Sequence, residues 1–434
     1  MGIMRTTKRH VWQARPVTAR GSDSIPPARR PLRAIATAVS LAVVISLSPE
    51  ARQAPTHADQ PVVAADEVAT QAAQPVGPVL GVMPQLEPGL PPARASLPPT
   101  TKPTAGAALS RRFQAALDAA RYRAAAFGVT FALVRDGRVV WAGSSGVDRD
   151  RGRALRPDST MVVGSVTKTF VAAAVLQLIE EGRLGLDDSV RAHLPELRRV
   201  SREITIRQLL DHTSGLADVF NDKTRRGLER HPERSWTSTE VLETLHAPWY
   251  RPGEGWAYAN TNYYLLGMVV ERVTGSTLED EIQRRFLGPL QLASTRSLRA
   301  DDPTSPLEPA WATIFWASGA MSSSARDLAR WGDVLYDDDV AGQKVLAADA
   351  VDAMLDVNRD DYGLGVKRIE VSRKRVGYGH TGLLNAYTAV MLHLPREDVT
   401  IALLVNRTQV DLLGMLKERP AGGGPSLLRL AIDS

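Results

Sequence analysis

The sequence predicts a mixed α/β (α+β) fold: an antiparallel sheet flanked by helices, with a mostly helical insertion. Three observations predict it. β-rich runs around Asp136-Gly137 stand near the start of the patterned region. Two more, Ala386–Leu394 and Val399–Val405, stand near its end. Helical periodicity dominates between them, and a sheet built from both ends of a chain pairs antiparallel strands.

In chain order, helical spacing begins at Leu109, with Phe113, Leu117 and Tyr122 among alanines, and runs to about Ala126. Val129–Val134 and Val139–Trp141 flank Arg135-Asp136-Gly137, which reads as a hairpin. Val166, Phe170, Val171, Ala174, Val175, Leu178 and Ile179 fall on one helical stripe that Gly182 ends. A further helical pattern starts at about Tyr263. Pro395–Asp398 is the turn between the last two strands. The folded body is therefore placed at residues 109–418, with 419–434 as a C-terminal tail.

What precedes the body does not read as fold. The chain has 434 residues and a net charge of +5. Residues 1–33 hold eight Lys or Arg and one acid, a local +7, so residues 34–434 are left with −2. The basic character belongs to the leader, and nucleic acid is not an expected partner. An apolar run follows at 34–47; as a helix it would reach about 21 Å, short of a bilayer core of about 30 Å. A basic flank before a short apolar stretch is a secretory signal pattern. Residues 1–58 are read as leader and signal, cleaved near Thr56-His57-Ala58 or kept as a membrane anchor through 34–47. Either way the body is expected outside the cytoplasm, secreted or held at the cell envelope. Residues 49–104 contain 12 of the 28 prolines, so 59–108 reads as a disordered linker. The absence of cysteine excludes disulfides, thiolate metal sites and a cysteine nucleophile. The eight histidines do not cluster at ligand spacing, so neither metal nor cofactor is expected.

The chemistry centres on Ser165 and Lys168. At i and i+3 on a helix the hydroxyl and the amine share a face. A serine needs a nearby base to become nucleophilic, and a desolvated lysine can supply one. Tyr258-Ala259-Asn260 follows Pro252-Gly253-Glu254 in a loop, and His380-Thr381-Gly382 lies near the C-terminal strands. His212-Thr213-Ser214 is too tight in sequence to pair a nucleophile with a base, and reads as a turn holding a buried histidine. Asn406-Arg407-Thr408 fits a glycosylation sequon but reads as a chance match. Trp249, Trp256, Trp311 and Trp316 suit either a ligand cleft or core packing.

The order S-x-x-K, Y-x-N, H-T-G resembles the serine β-lactamase and penicillin-binding-protein superfamily. It is most like its class C-type β-lactamases and the related D-alanyl-D-alanine carboxypeptidases and esterases. Ile206–Leu216, Gly319–Leu328 and Tyr362–Gly365 stand in the family's order as well. The resemblance implies that Ser165 is acylated, that Lys168 takes its proton, and that Tyr258 shuttles a proton to the leaving group. A phenol titrates near pH 10, so Tyr258 would need Lys168 close by to lower it. The resemblance further implies that Asn260, His380, Thr381 and Gly382 bind substrate, with Ser165 and Leu383 backbone N–H groups as the oxyanion hole. Many related β-lactamases carry lysine where His380 stands. A histidine is largely neutral at pH 7, so a substrate carboxylate loses part of its anchor. Leu383 and Leu384 hint at an apolar part of the substrate. The implied activity is hydrolysis of an amide or ester, a D-Ala-type wall peptide or a small ester. β-Lactam hydrolysis and a non-turnover penicillin- or peptidoglycan-binding sensor are the alternatives. The expected partner is a small-molecule or peptide substrate.

Overall fold

The computed structural model describes residues 105–149, 152–337, 344–358 and 360–434. The leader, the apolar segment 34–47 and the linker up to residue 104 lie outside the described residues. No helix among the described residues is long and apolar enough to cross a membrane.

The Asp136-Gly137 hairpin forms. Both residues take positive φ, +48° and +70°, and join β1 (Gly128–Arg135) to β2 (Arg138–Gly146). Such a turn twists with its strands, and Asp-Gly adopts it cheaply. A small sheet joins β3 (Thr160–Val162), β4 (Arg296–Ser297) and β5 (Met321–Ser324). The main sheet is completed by β6 (Lys367–Ser372), β7 (Arg375–Leu384), β8 (Tyr387–Leu394) and β9 (Val399–Val405). Its order is β2-β1-β9-β8-β7-β6, antiparallel throughout, with Val129 opposite Val405. The two ends of the body thus share one sheet.

The sheet is covered on both faces, and side-chain alternation sorts the strands between them. Phe131, Leu133, Leu392 and Leu403 join Phe113 and Leu117 of α1 (Ala107–Arg123). Ala132, Met391 and Leu404 face the opposite core with Phe170 and Trp331. Tyr122, read as part of the helical pattern, is exposed.

Four sequence expectations are revised. The main sheet has six strands, β6 and β7 in addition to the four runs that the sequence pattern marks; Gly377, Gly379 and Gly382 dilute the β signal of β7. The Ser165-Lys168 helix, α2 (Thr167–Glu180), is buried on every side along its first ten residues, not along one stripe. It runs between the sheet and the helical region, with Phe170 stacked on Trp331 at 4.1 Å and Thr169 accepting the Trp331 indole N–H at 2.8 Å. The helix expected from Tyr263 already begins at Asn260 and ends at Gly275, φ +74°. Residues 419–434 are no free tail: Leu427–Asp433 is a helix whose Leu427, Leu428, Leu430 and Ala431 pack with α1. Asn406 is buried, its side chain bridging Gly128 N–H at 2.5 Å and Val147 C=O at 2.8 Å, so its sequon is structurally occupied.

Two predictions follow from this packing. Phe170→Ala should cost about 3–5 kcal/mol in urea unfolding, since it empties the stack that seats α2. The second concerns a buried chain in which His393 Nδ1 meets Thr400 Oγ1 at 2.9 Å and Thr400 donates to Asp333 at 2.7 Å. Burial raises Asp333 to about 6 and lowers His393 to about 4. The carboxyl makes stability fall as pH rises through this window, and the imidazole makes it rise, so the two offset. Asp333→Asn removes the first. Its stability should then climb from pH 4 to 6 by up to about 1.4 kcal/mol per unit; a flat profile would sink this account.

Candidate active site

Ser165 lies in a short 3₁₀ turn, Gly164–Val166, immediately before α2. Gly164 has φ +52°, and a Cβ there would sit 2.7 Å from Leu383 N. A Cβ on Gly382 would meet Val163 O at 1.8 Å and Ser165 N at 3.2 Å. Only glycine permits this approach of two backbones. It brings the N–H groups of Ser165 and Leu383, the expected oxyanion donors, to neighbouring positions.

Lys168 is fully buried. Its Nζ donates to Asn260 Oδ1 at 2.9 Å and to the Ser318 carbonyl at 2.7 Å, and lies 3.0 Å from Ser165 Oγ. Burial pushes its pKa well below the ordinary lysine range; Asp218 opposes this and Lys367 adds to it. A neutral amine has two N–H groups and one lone pair. The two carbonyl-type acceptors engage the two N–H groups, which leaves the lone pair for the serine hydroxyl.

The Ser318 carbonyl comes from the end of the Pro309–Gly319 helix, where Trp316 departs from helical dihedrals (φ 16°, ψ −111°). Asn260 is held from behind, its Nδ2 donating to Asp218 at 3.2 Å. The asparagine expected to bind substrate thus positions the amine as well. Neither Ser318 nor Asp218 carried a sequence signal.

The Tyr258 hydroxyl is sealed from solvent; Ser165 is near enough to favour its ionisation but makes no well-formed hydrogen bond with it. Lys168 Nζ lies 4.9 Å from the ring centroid. Proximity was expected to lower this phenol. The structure reverses that expectation, because burial dominates and raises it. Desolvation favours both neutral forms, so the proton stays on the phenol while the amine is free.

His212 positions Tyr258. Its ring lies against the phenol at 4.3 Å, and Nδ1 accepts from Asn262 Nδ2 at 2.8 Å and the Ala259 N–H at 3.3 Å. It is the buried turn histidine read from sequence, at φ +63°.

His380 is corrected. It was expected among the substrate contacts, but it is fully buried on the inner side of β7. Nδ1 donates to the Thr381 carbonyl at 2.6 Å and Nε2 accepts from Tyr362 at 3.0 Å, a neutral tautomer set by its partners. Burial, Lys367 and Lys168 keep its pKa well below the histidine range. Thr381 and Leu383 point the other way and are accessible, whereas Leu384 is buried. Trp249 is exposed, while Trp311 stacks on Phe315 and Trp316 donates to Glu279, so the four tryptophans share no single role.

An antiparallel sheet whose glycine-opened strand presses on a Ser-x-x-Lys helix defines a β-lactamase-fold hydrolase. The sequence model of the beta-lactamase family matches residues 110–418, and the chain belongs to that family, within the serine β-lactamase and penicillin-binding-protein superfamily. A D-stereospecific amidohydrolase from Streptomyces sp. is 30% identical and superposes with a TM-score of 0.58, over 69% of this chain and 94% of that one. The D-amino acid amidase of Ochrobactrum anthropi shares the fold at 23% identity and TM-score 0.60, over 70% and 93% of the two chains. Esterase EstB of Burkholderia gladioli is 35% identical over 213 residues, 45% of this chain and 53% of EstB. Protein flp of Staphylococcus aureus is 31% identical over 173 residues, 39% of this chain and 34% of flp. The chain thus spans about a third to a half of these two curated relatives.

The close backbone approach yields a prediction. Gly382→Ala should lower thermal stability by about 1–3 kcal/mol through overpacking. Gly422→Ala, where a Cβ meets nothing within 4 Å, should leave the melting curve unchanged.

Proposed function

We propose that this chain is an exported serine hydrolase that forms an acyl-enzyme on an amide or ester, a D-Ala-type wall peptide or a small ester. The observation that carries the proposal is the Lys168 amine: buried, with both N–H groups engaged and its remaining direction on Ser165 Oγ.

Ser165 Oγ attacks the acyl carbon as Lys168 takes its proton. The developing oxyanion sits between the N–H groups of Ser165 and Leu383. Tyr258, kept protonated by burial, gives its proton to the leaving group and is reprotonated from Lys168. In the second half a water replaces the leaving group, and the steps run in reverse. Asn260 and the accessible Thr381 orient the substrate.

The names of the relatives support an amide or ester substrate, since they include a D-stereospecific amidohydrolase, a D-amino acid amidase and an esterase. The buried, neutral His380 disfavours a dedicated β-lactamase, because it offers no charge to a drug carboxylate. Export rests on the basic leader and the apolar run 34–47.

The reading is tested with wild-type chain and Ser165→Ala, each incubated with an N-acyl-D-Ala-D-Ala peptide, D-phenylalanine amide, p-nitrophenyl butyrate and a fluorescent penicillin. Turnover and a covalent mass gain confined to wild type are expected. A stable adduct without turnover would indicate a sensor, and no adduct with any probe would remove the serine mechanism. Lys168→Arg puts a cation that cannot deprotonate in place of the neutral amine, so kcat/KM should fall by about 10²–10⁴. In wild type the acid limb of kcat/KM should lie well below the lysine range, with activity lost as pH drops and Lys168 protonates. An activity that survives in Lys168→Arg would exclude this base.

A further inference from the structure

Asp218 stands in a loop that the start of the Asn260–Thr274 helix grips from both sides. The buried Thr261 Oγ1 donates to the Ala217 carbonyl at 2.6 Å and accepts the Val219 N–H at 2.8 Å. One hydroxyl therefore fixes the backbone before and after residue 218. Asp218 Oδ1 accepts the Phe220 N–H at 2.9 Å, which sets the direction of the carboxylate. Its Oδ2 accepts from Asn260 Nδ2 at 3.2 Å.

An asparagine amide can turn over and exchange its oxygen with its nitrogen. A carboxylate only accepts, so Asp218 holds the Nδ2 end and leaves Oδ1 for Lys168, 2.9 Å away. In the reversed amide an oxygen would face the carboxylate. The amide N–H groups would face the Lys168 amine and compete with Ser165 for its lone pair.

The same carboxylate acts on the amine by its charge. Lys168 is faced by the rings of Tyr258 and Tyr263, and it lowers the pKa of His212 and of His380. Those four groups are neutral. Of the charged groups that act on the amine, Asp218 favours its protonated form and Lys367 opposes it. Burial raises the pKa of Asp218 itself, and the Phe220 N–H, Asn260 and Lys168 oppose that rise.

We propose that Asp218 is the positioning residue of the base: it holds the Asn260 amide with its oxygen toward Lys168, so that the amine keeps its lone pair for Ser165. When the proton leaves Ser165 Oγ for Nζ, the amine becomes a cation. Carboxylate, amide dipole and ammonium then stand in a row, each polarising the next favourably. The inference rests on the serine hydrolase reading, which makes Lys168 the base.

Two measurements on the full chain test it. Asp218→Asn removes the charge at constant size and lets either amide orientation be satisfied. With p-nitrophenyl butyrate, which has no amide for Asn260 to hold, kcat/KM should fall by about 10- to 100-fold, mainly through kcat. The acid limb of its pH profile should move down by about one pH unit, because the protonated amine loses its counter-charge. Unchanged kcat, or a loss of activity with the acid limb in place, would overturn the proposal. The second measurement needs no turnover. NMR of ¹³Cε-labelled lysine follows the titration of Lys168, whose signal is identified by its loss in Lys168→Arg. Its midpoint should lie lower in Ser165→Ala/Asp218→Asn than in Ser165→Ala, and equal midpoints would overturn the proposal. If no probe acylates Ser165 but the midpoint moves, the hydrolase reading fails and the coupling of Asp218 to Lys168 stands.

Discussion

A single buried amine organises the molecule. Lys168 can be buried because three oxygens surround it, and each is delivered by a different part of the chain. Ser165 Oγ comes from the turn before α2. Asn260 Oδ1 comes from the start of the Asn260–Thr274 helix, and the Ser318 carbonyl from the end of a broken helix. Desolvation disfavours its charged form, and the acceptors fix the direction of its lone pair. The helical region and the sheet are thus tied together at the point where chemistry is expected.

The surrounding electrostatics have one logic, which is burial of neutral groups. Tyr258 is held protonated and His212 and His380 are held uncharged, each chiefly by desolvation. Two histidines that look like acid–base candidates become scaffolding. His212 braces the Tyr258 loop, and His380 locks β7 to Tyr362. Charge remains at the margins: Asp218 fixes Asn260 from behind, and Lys367 lies over the Tyr258 ring. A site built this way favours proton transfer between neutral neighbours.

Some features were legible in the residues. The Asp136-Gly137 hairpin was readable because few residue pairs accept two positive φ angles in succession. The last two strands were readable because both faces are buried and their apolar runs are nearly continuous. The strand carrying His380-Thr381-Gly382 was not, because the glycines that admit the Ser165 turn remove the side chains that mark a strand. The C-terminal helix was missed because seven residues hold too little periodicity to stand out. The all-round burial of α2 was underestimated, since small alanines on its far side read as neutral and yet pack against other elements.

The sequence alone determined which groups could do chemistry: a serine and a lysine one turn apart, a tyrosine, an asparagine, and glycines where main chains must meet. Residue type and short spacing encode these, and both are local. Only the tertiary structure decided their protonation and their roles. The pKa of Lys168, Tyr258 and His380 depends on burial by segments far away in the chain. Ser318 contributes a carbonyl that every residue has, so its identity carries no signal. Lys367 is one basic residue among 53 Lys and Arg until the register of β6 on β7 sets it beside Tyr258.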